Sequence, residues 1–489
     1  MASYYIDPTW PGPFNGTEAQ PYASWASVPS LVANDFVYFA KGTTHIGQVL
    51  YDSSRGASTT LATPITFGSY GSGNAPKILS NNYCIDIQSR NGVIVQDLDC
   101  DAITTFSSGG VQVLNSSHVK IQRVLTREKC DYGIRIENTG ATLLTNIQVL
   151  NNTVSGTYGN TGILLIWGSS VGGVYEDVII DGNTVINTGS LYTGDFTNTP
   201  YGIRTVSKTG PLTTSSGTVD LNLFCRGVQI TGNTILNTPA YGIAAVGLNS
   251  GGTATIRNEI SRNTLINIGN GLYDSHMLWA AGCRDVWIED NYLDGSRMFQ
   301  GSHFGTGVGI FIDTFGFTNL FDGTKRCYIR RNTIKNTGGD SAGSVGDLEI
   351  AGAGILVFLS NTIEITGNIL VGCYNGIGVL GWFGTGLKSF AVIGKGNYIL
   401  DTITTGITTT KQADQISWIE NYIDGYNSSG IYLENVGDYA VTNYSETRNG
   451  VVGITSTAYQ GGSLPTSDVS PVSERTPSVG NKILSAQYY

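Results

Sequence analysis

Asp313 is the residue of this chain best suited to acid–base work. It stands in Gly309-Ile310-Phe311-Ile312-Asp313. Alternation along an extended strand turns Ile310 and Ile312 to one face and Phe311 and Asp313 to the other. A carboxyl beside an aromatic ring suits cleavage of a glycosidic bond, which takes two carboxyls, one protonated and one ionised. Asp274, Glu349, Asp340 and Asp347 are the candidates for the second. A separation of about 5–5.5 Å would retain the anomeric configuration and about 6.5–9.5 Å would invert it. The rival chemistry is β-elimination beside a uronate carboxyl. It takes a base and a cation that holds the developing enolate. His303, in Gly301-Ser302-His303-Phe304-Gly305, and His276 are candidate bases, as are Tyr192 and Tyr273; Arg204 and Arg297 are the candidate cations. Tyr192, Tyr241, Tyr273 and Phe311 also offer rings to a sugar, so with Arg204 and Arg297 they form the expected substrate-binding set. Each type has a plainer use too: Asp caps turns, and Tyr and Phe line subunit interfaces.

These residues recur within a repeat. Val178-Ile179-Ile180-Asp181-Gly182-Asn183-Thr184-Val185 is followed by Tyr201-Gly202-Ile203-Arg204, and the pattern returns at Val228 to Asn237 with Tyr241-Gly242-Ile243. Further copies carry Asn152, Asn263, Asn291, Asn332, Asn368, Asn397, Asn421 and Asn443, most followed by a Gly-Ile pair or a close relative. Val178 and Ile180 point to one face of a strand. Gly182-Asn183 bends the chain, since Asn tolerates the left-handed conformation, and its amide can bond to the same amide one coil on. Val185 opens a second strand and Gly202-Ile203 a third. Three short strands per unit, no helical periodicity and no regular hairpin turns argue for a parallel β-helix over a sandwich or propeller.

Stacking predicts outward columns. One reads Arg135, Leu164, Arg204, Ala244, Tyr273, Phe311, Leu356; its companion reads Glu137, Ile166, Val206, Val246, Ser275, Asp313, Phe358. The loops before Gly202, Gly309 and Gly354 are long, and those before Gly242 and Gly271 short. Low coils between tall loops predict a groove floored by Tyr241 to Ala244 and Asn270 to Asp274. Arg135 and Arg204, two coils apart, can grip an anionic sugar, although Glu137 offers Arg135 a plain surface pair.

The chain divides into a lead-in and cap over 1–43, a β-helix over 44–445 and a Ser/Thr/Pro-rich, irregular tail over 446–489. The lead-in carries Tyr4-Tyr5-Ile6-Asp7-Pro8, Asn15-Gly16-Thr17, Pro21-Tyr22-Ala23-Ser24-Trp25, Asn34-Asp35-Phe36-Val37-Tyr38-Phe39 and Gly42-Thr43. In this it resembles the opening of right-handed parallel β-helix polysaccharide-active proteins of the pectate-lyase-like superfamily. A long β-helix, no expected secretion signal and a Gly/Ser/Tyr-rich uncharged surface together look like a bacteriophage tailspike depolymerase. The resemblance implies a right-handed helix and a homotrimer that binds and cleaves a bacterial surface polysaccharide, capsule or O-antigen, by hydrolysis or elimination. It also implies other virion tail proteins as partners. A non-catalytic saccharide-binding or structural β-helix is the alternative. Tailspikes carry a large N-terminal particle-binding domain that this sequence lacks, so either the chain attaches through Met1 to about Gly16 or through a partner, or it is not a tailspike.

Bulk composition narrows the classes. Charged residues are 13% of the 489, with 65 Gly and 26 Tyr, a turn-rich surface of uncharged polar groups. A net charge of −10 without a Lys/Arg-rich run argues against a nucleic-acid partner. The seven cysteines are odd in number and not closely paired, so they read as buried apolar fillers rather than zinc ligands. Calcium-type Asp clusters are not evident, and no metal or other cofactor is expected. The N-terminus lacks a basic region followed by an apolar one, so no secretory signal is expected. The expected location is a virion tail acting outside the host cell. No run is long and apolar enough to span a membrane.

Overall fold

Tyr175–Asp181, Thr184–Ile186 and Tyr201–Ser207 make one turn of the molecule, and each pairs in parallel with the equivalent strand of the next turn. A computed structural model describes residues 1–460 apart from 105–106, 128, 141, 157–160, 169–173, 190–198, 208–224, 250–254, 270–274, 296–306, 314–323, 339–351, 382–388, 411–412, 426–428, 434–441, 448 and 453–458. Among the described residues three parallel sheets run the length of the axis. The first has sixteen strands and begins at Ser3–Ile6; the second has fourteen, from Val49–Tyr51 to Tyr459–Gln460; the third has fourteen, from Thr44–Ile46 to Gly450–Val452. This is a right-handed parallel β-helix. The stack continues past residue 445, the expected boundary of the tail.

Inward residues form one continuous core, including Ile147, Val178, Val228, Ile260, Val286 and Cys327 of the first sheet. All seven cysteines are buried free thiols. They fill that core as small apolar groups.

Two devices hold the coils in register. The first is the asparagine ladder. Asn183 Nδ2 donates to Asn233 Oδ1 at 2.9 Å and to the Val149 carbonyl at 2.9 Å, while its backbone N–H reaches the same Asn233 oxygen at 2.9 Å. The pattern repeats from Asn152 to Asn449. Every amide is buried, so its hydrogen bonds offset a desolvation penalty of about 1–3 kcal/mol per group. Val124 precedes the ladder, with its N–H on Asn152 Oδ1 at 2.9 Å, as the absence of Asn in the early coils implies.

Two expectations about the ladder need correction. The terminal member is Asn449, not Asn443, because the turn of the last coil falls after Thr442–Thr447. The left-handed conformation belongs to the residue before each ladder Asn from Asn152 to Asn421, such as Asn151 (φ 55°), Gly182 (φ 67°) and Glu420 (φ 54°). The ladder amide needs its own backbone N–H turned along the axis, and the preceding residue makes that turn.

The second device is the glycine column behind the Gly-Ile repeats. A methyl at Gly202 would meet Ile235 Cγ2 at 2.5 Å and the Gly242 carbonyl oxygen at 2.6 Å. Glycine and the following isoleucine both point inward there, and only glycine lets the next coil approach. The residue before the glycine therefore faces outward, which brings Tyr132, Tyr201 and Tyr241 onto the outer face of the second sheet.

Candidate functional site

The outer face of the second sheet gathers the sequence-predicted groups that lie within the described residues: Arg204, Tyr241, Phe311 and Asp313. Register fixes one column as Arg135, Leu164, Arg204, Ala244, Trp279, Phe311 and Leu356. A second column carries Glu137 and Ile166, and nearer the other end Val246, Ala281 and Asp313. A third carries Tyr83, Gly109, Tyr132, Thr161, Tyr201, Tyr241, His276 and Val308.

The coil between Tyr241 and Val308 differs from expectation. Its strand is His276–Ala281, so Trp279 takes the place assigned to Tyr273, and Ala281 that of Ser275. Met277 stands where glycine stands in the coils on either side, with its carbonyl oxygen 2.5 Å from where a Gly242 methyl would be. The Gly-Ile signal is therefore lost in this coil, and Gly271-Leu272 was the nearest substitute. Tyr192, Tyr273, Asp274, Arg297, His303 and Glu349 lie outside the described residues, as do Asp340, Asp347 and the long loops proposed as groove walls.

The outward face is also less open than alternation alone predicts. Tyr241 is 8% exposed, His276 1% and Ala244 0%. Ala244 is short and lies between Arg204 and Trp279 in its column. Tyr241 is enclosed by rings: Tyr201 stacks on it at 4.9 Å and 14°, with His276 at 5.3 Å and Trp279 at 5.6 Å. Rings stacked along the axis use their faces on one another and turn their edges outward. Tyr241 therefore offers no open ring face to a sugar in this conformation. Half-buried Trp279 and Phe311 border the buried His276, whose ring lies 4.6 Å from Phe311. At this burial the imidazole does not reach a substrate proton in this conformation.

Arg204 is the best-poised cation. Its guanidinium lies 4.2 Å over the Tyr201 ring, and its Nε, like that of Arg135, is buried with no hydrogen-bond partner among the described residues. Such a donor costs free energy and, being buried, is not itself the atom that a sugar would meet. Arg135 is already engaged, with Glu137 at 2.7 Å and the Tyr83 hydroxyl at 3.1 Å. The plain ion pair therefore accounts for it. Burial pushes the Tyr83 hydroxyl up to about 12 against the opposing pull of Arg135, and raises Tyr132 as well. Both phenols are thereby poor bases.

Sequence reasoning passed over Asp131, half-buried at the start of Cys130–Asn138; burial raises its carboxyl, with Arg135 opposing. Its environment keeps a proton to higher pH, whereas Glu137 is ion-paired. Six residues of strand separate them, roughly 20 Å, too far for the carboxyl pair of a glycosidase. Arg204 and Asp313 are likewise three coils apart, roughly 14 Å along the axis. No single sugar ring touches both, so they would serve different units of one chain.

No family model matches the chain, and no curated protein matches it. Solved structures similar to it include a PL6 alginate lyase in complex with a trisaccharide, at 12% identity and a TM-score of 0.47 over 88% of this chain and 81% of that one. The catalytic domain of a GH87 α-1,3-glucanase in complex with tetrasaccharides is 15% identical, with a TM-score of 0.46 over 85% of this chain and 64% of that one. A periplasmic alginate epimerase is 12% identical, with a TM-score of 0.41 over 80% of this chain and 77% of that one. Likeness at this level carries no information on the reaction of this chain.

Proposed function

We propose that this protein is a depolymerase of bacteriophage tailspike type that binds and cleaves an anionic bacterial surface polysaccharide, capsule or O-antigen. The carrying observation is the register that puts Arg204, Trp279, Phe311 and Asp313 on one outward face along the axis. An extended polymer lying along the axis would meet them in succession. Arg204 binds a carboxylate of one sugar. Trp279 and Phe311 border the apolar face of another, and Asp313 supplies one carboxyl of a hydrolytic pair. Asp274 or Glu349 would supply its partner.

Elimination is the second reading. Arg204 favours it, since a guanidinium is the kind of group that a developing enolate needs. In either case the protein acts as a homotrimer on a virion tail, joined to other tail proteins.

The test is incubation of the purified protein with acidic capsular and O-antigen polysaccharides. New reducing ends without ultraviolet absorbance mean hydrolysis; unsaturated, absorbing products mean elimination. Asp313→Asn is expected to lower hydrolysis by about 10³-fold, the scale of a lost general acid or base. Binding without cleavage across the panel would leave only a saccharide-binding β-helix.

A further inference from the structure

The glycine column of the second sheet packs against one inward row of the third. A methyl at Gly110 would meet Thr126 Cγ2 at 2.4 Å; at Gly133 it would meet Val154 Cγ1 at 2.5 Å, and at Gly162 Val185 Cγ1 at 2.5 Å. Strand pairing continues that row toward the N-terminus as Val185, Val154, Thr126, Cys100 and Ile78. One coil before Gly110 the column holds Cys84, and one coil before Thr126 the row holds Cys100. Two cysteines therefore face each other across the corner where the next coils set glycine against threonine or valine.

The side chains meet. Cys84 Sγ donates to the Ile78 and Asp101 carbonyls, each at 3.2 Å. Asp101 follows Cys100 in the chain, and Ile78 pairs with Cys100 across the sheet. The Cys84 thiol beside it, together with burial, holds the Cys100 thiol well above its ordinary range. A disulfide spans Cβ atoms about 3.5–4.5 Å apart. One coil on, a Cβ at Gly110 would stand 3.1 Å from Thr126 Cβ, so the corner reaches that span with a shift of about half an ångström.

We infer that Cys84 and Cys100 form a disulfide when the chain folds under oxidising conditions, and that this bond clamps one full coil. Between them the chain passes through Tyr83–Gln88 of the second sheet, Val93–Gln96 of the first and Asp99–Ala102 of the third. The asparagine ladder starts only at Asn152, so this coil has no tie of that kind. Closing such a loop restricts the unfolded chain. The oxidant is a low-molecular-weight disulfide such as oxidised glutathione. One cysteine thiolate of the open chain attacks a sulfur of that disulfide and expels a thiolate. The second cysteine thiolate then attacks the protein sulfur of the mixed disulfide and expels the other. Two protein thiols give up two protons and two electrons, and the small disulfide becomes two thiols. Both sulfurs are fully buried in the folded chain, which keeps thiolate scarce and the oxidant out. The bond therefore forms before the coil closes.

The test refolds the full chain from denaturant, once in mixed oxidised and reduced glutathione and once in reductant alone. Free thiols are then alkylated and tryptic peptides mapped without reduction. Trypsin puts Cys84, Cys100 and Cys130 on separate peptides, 78–90, 91–120 and 130–135. Peptides 78–90 and 91–120 are expected joined, two hydrogens lighter than their sum, in the oxidised sample alone. Hydrogen exchange over residues 83–102 should be slower there than in the reduced sample, and Cys100→Ala refolded in the same buffer should lose that difference. Both thiols alkylated in an oxidised sample with native circular dichroism would overturn the assignment, as would a link from either to peptide 130–135. A chain that regains its fold only in reductant would overturn it too, since the bond would then oppose the coil. Equal exchange in a linked and a reduced sample would remove the clamp.

Discussion

Arg204 shows how one residue can be legible in a sequence while its partners are not. Its place after an inward Gly-Ile pair gave the outward direction, and the cation was evident from its type. What it faces depended on the next two coils. There the loss of glycine at Met277 shifted the alignment onto Tyr273 and hid Trp279. Tyr241 was likewise located correctly, but its enclosure by Tyr201, His276 and Trp279 is a property of packing between coils that no single repeat reveals. If Arg204 holds a sugar carboxylate, Arg204→Ala should weaken binding of an acidic oligosaccharide by about 10–100-fold, the scale of one charge-assisted hydrogen bond. Calorimetry at low salt checks this. Arg135→Ala, by contrast, should leave affinity within about threefold and lower stability instead, because Glu137, with a side chain 5% exposed, loses its ion-pair partner.

At the scale of the element, the turn between the first and third sheets was the clearest feature of the sequence. Asparagines at recurrent positions after a Val-x-Ile strand gave the ladder from Asn152 to Asn421. Which residue turns left-handed is not legible in the sequence, since Gly182 and Asn183 are both turn formers and only the backbone tells them apart. Asn233→Ala removes the oxygen that accepts both the backbone N–H and the Nδ2 of Asn183. It should cost about 3 kcal/mol in chemical denaturation. Gly202→Ala should cost about as much through overpacking. Because it displaces the strand carrying Tyr201 and Arg204, activity should fall with it. The first strand of the third sheet offers a pH test. Burial holds the His45 imidazole at about 4 against an ordinary 6.5, with Asp7 opposing. Above pH 6.5 the group is neutral in both folded and unfolded chains. Below it the unfolded chain takes a proton that the fold refuses, so stability declines as pH drops from 6.5 toward 4. His45→Gln should therefore lose about 3 kcal/mol less than the wild type between pH 7 and pH 4.

The whole molecule is a rod whose core grows along one axis, so composition and repeat sufficed to give the architecture. The site is harder to read at this scale. Its expected second carboxyl, its groove walls and its candidate bases other than His276 fall in stretches of sequence between the repeats, where no periodicity constrains the chain. Electrostatics offers a check on the polymer's charge. With a net charge of −10, the protein as a whole repels an anionic chain while Arg204 attracts it locally. Added salt should then raise the association rate by screening the repulsion. It should raise the dissociation rate by weakening the local contact. A nucleic-acid binder would show slower association instead. For the proposed trimer, sedimentation should give three times the 52.0 kDa chain mass.

The claim on which the functional account rests is that saccharide lies along the outer face of the second sheet. Hydrogen exchange with and without a cleavage-resistant acidic oligosaccharide tests it directly. The account predicts slowed exchange in Tyr201–Ser207, His276–Ala281 and Val308–Asp313 together, and none in the first sheet. Protection centred on the stacked Trp287 and Tyr328 of the first sheet, with Tyr201 to Asp313 unchanged, would contradict it.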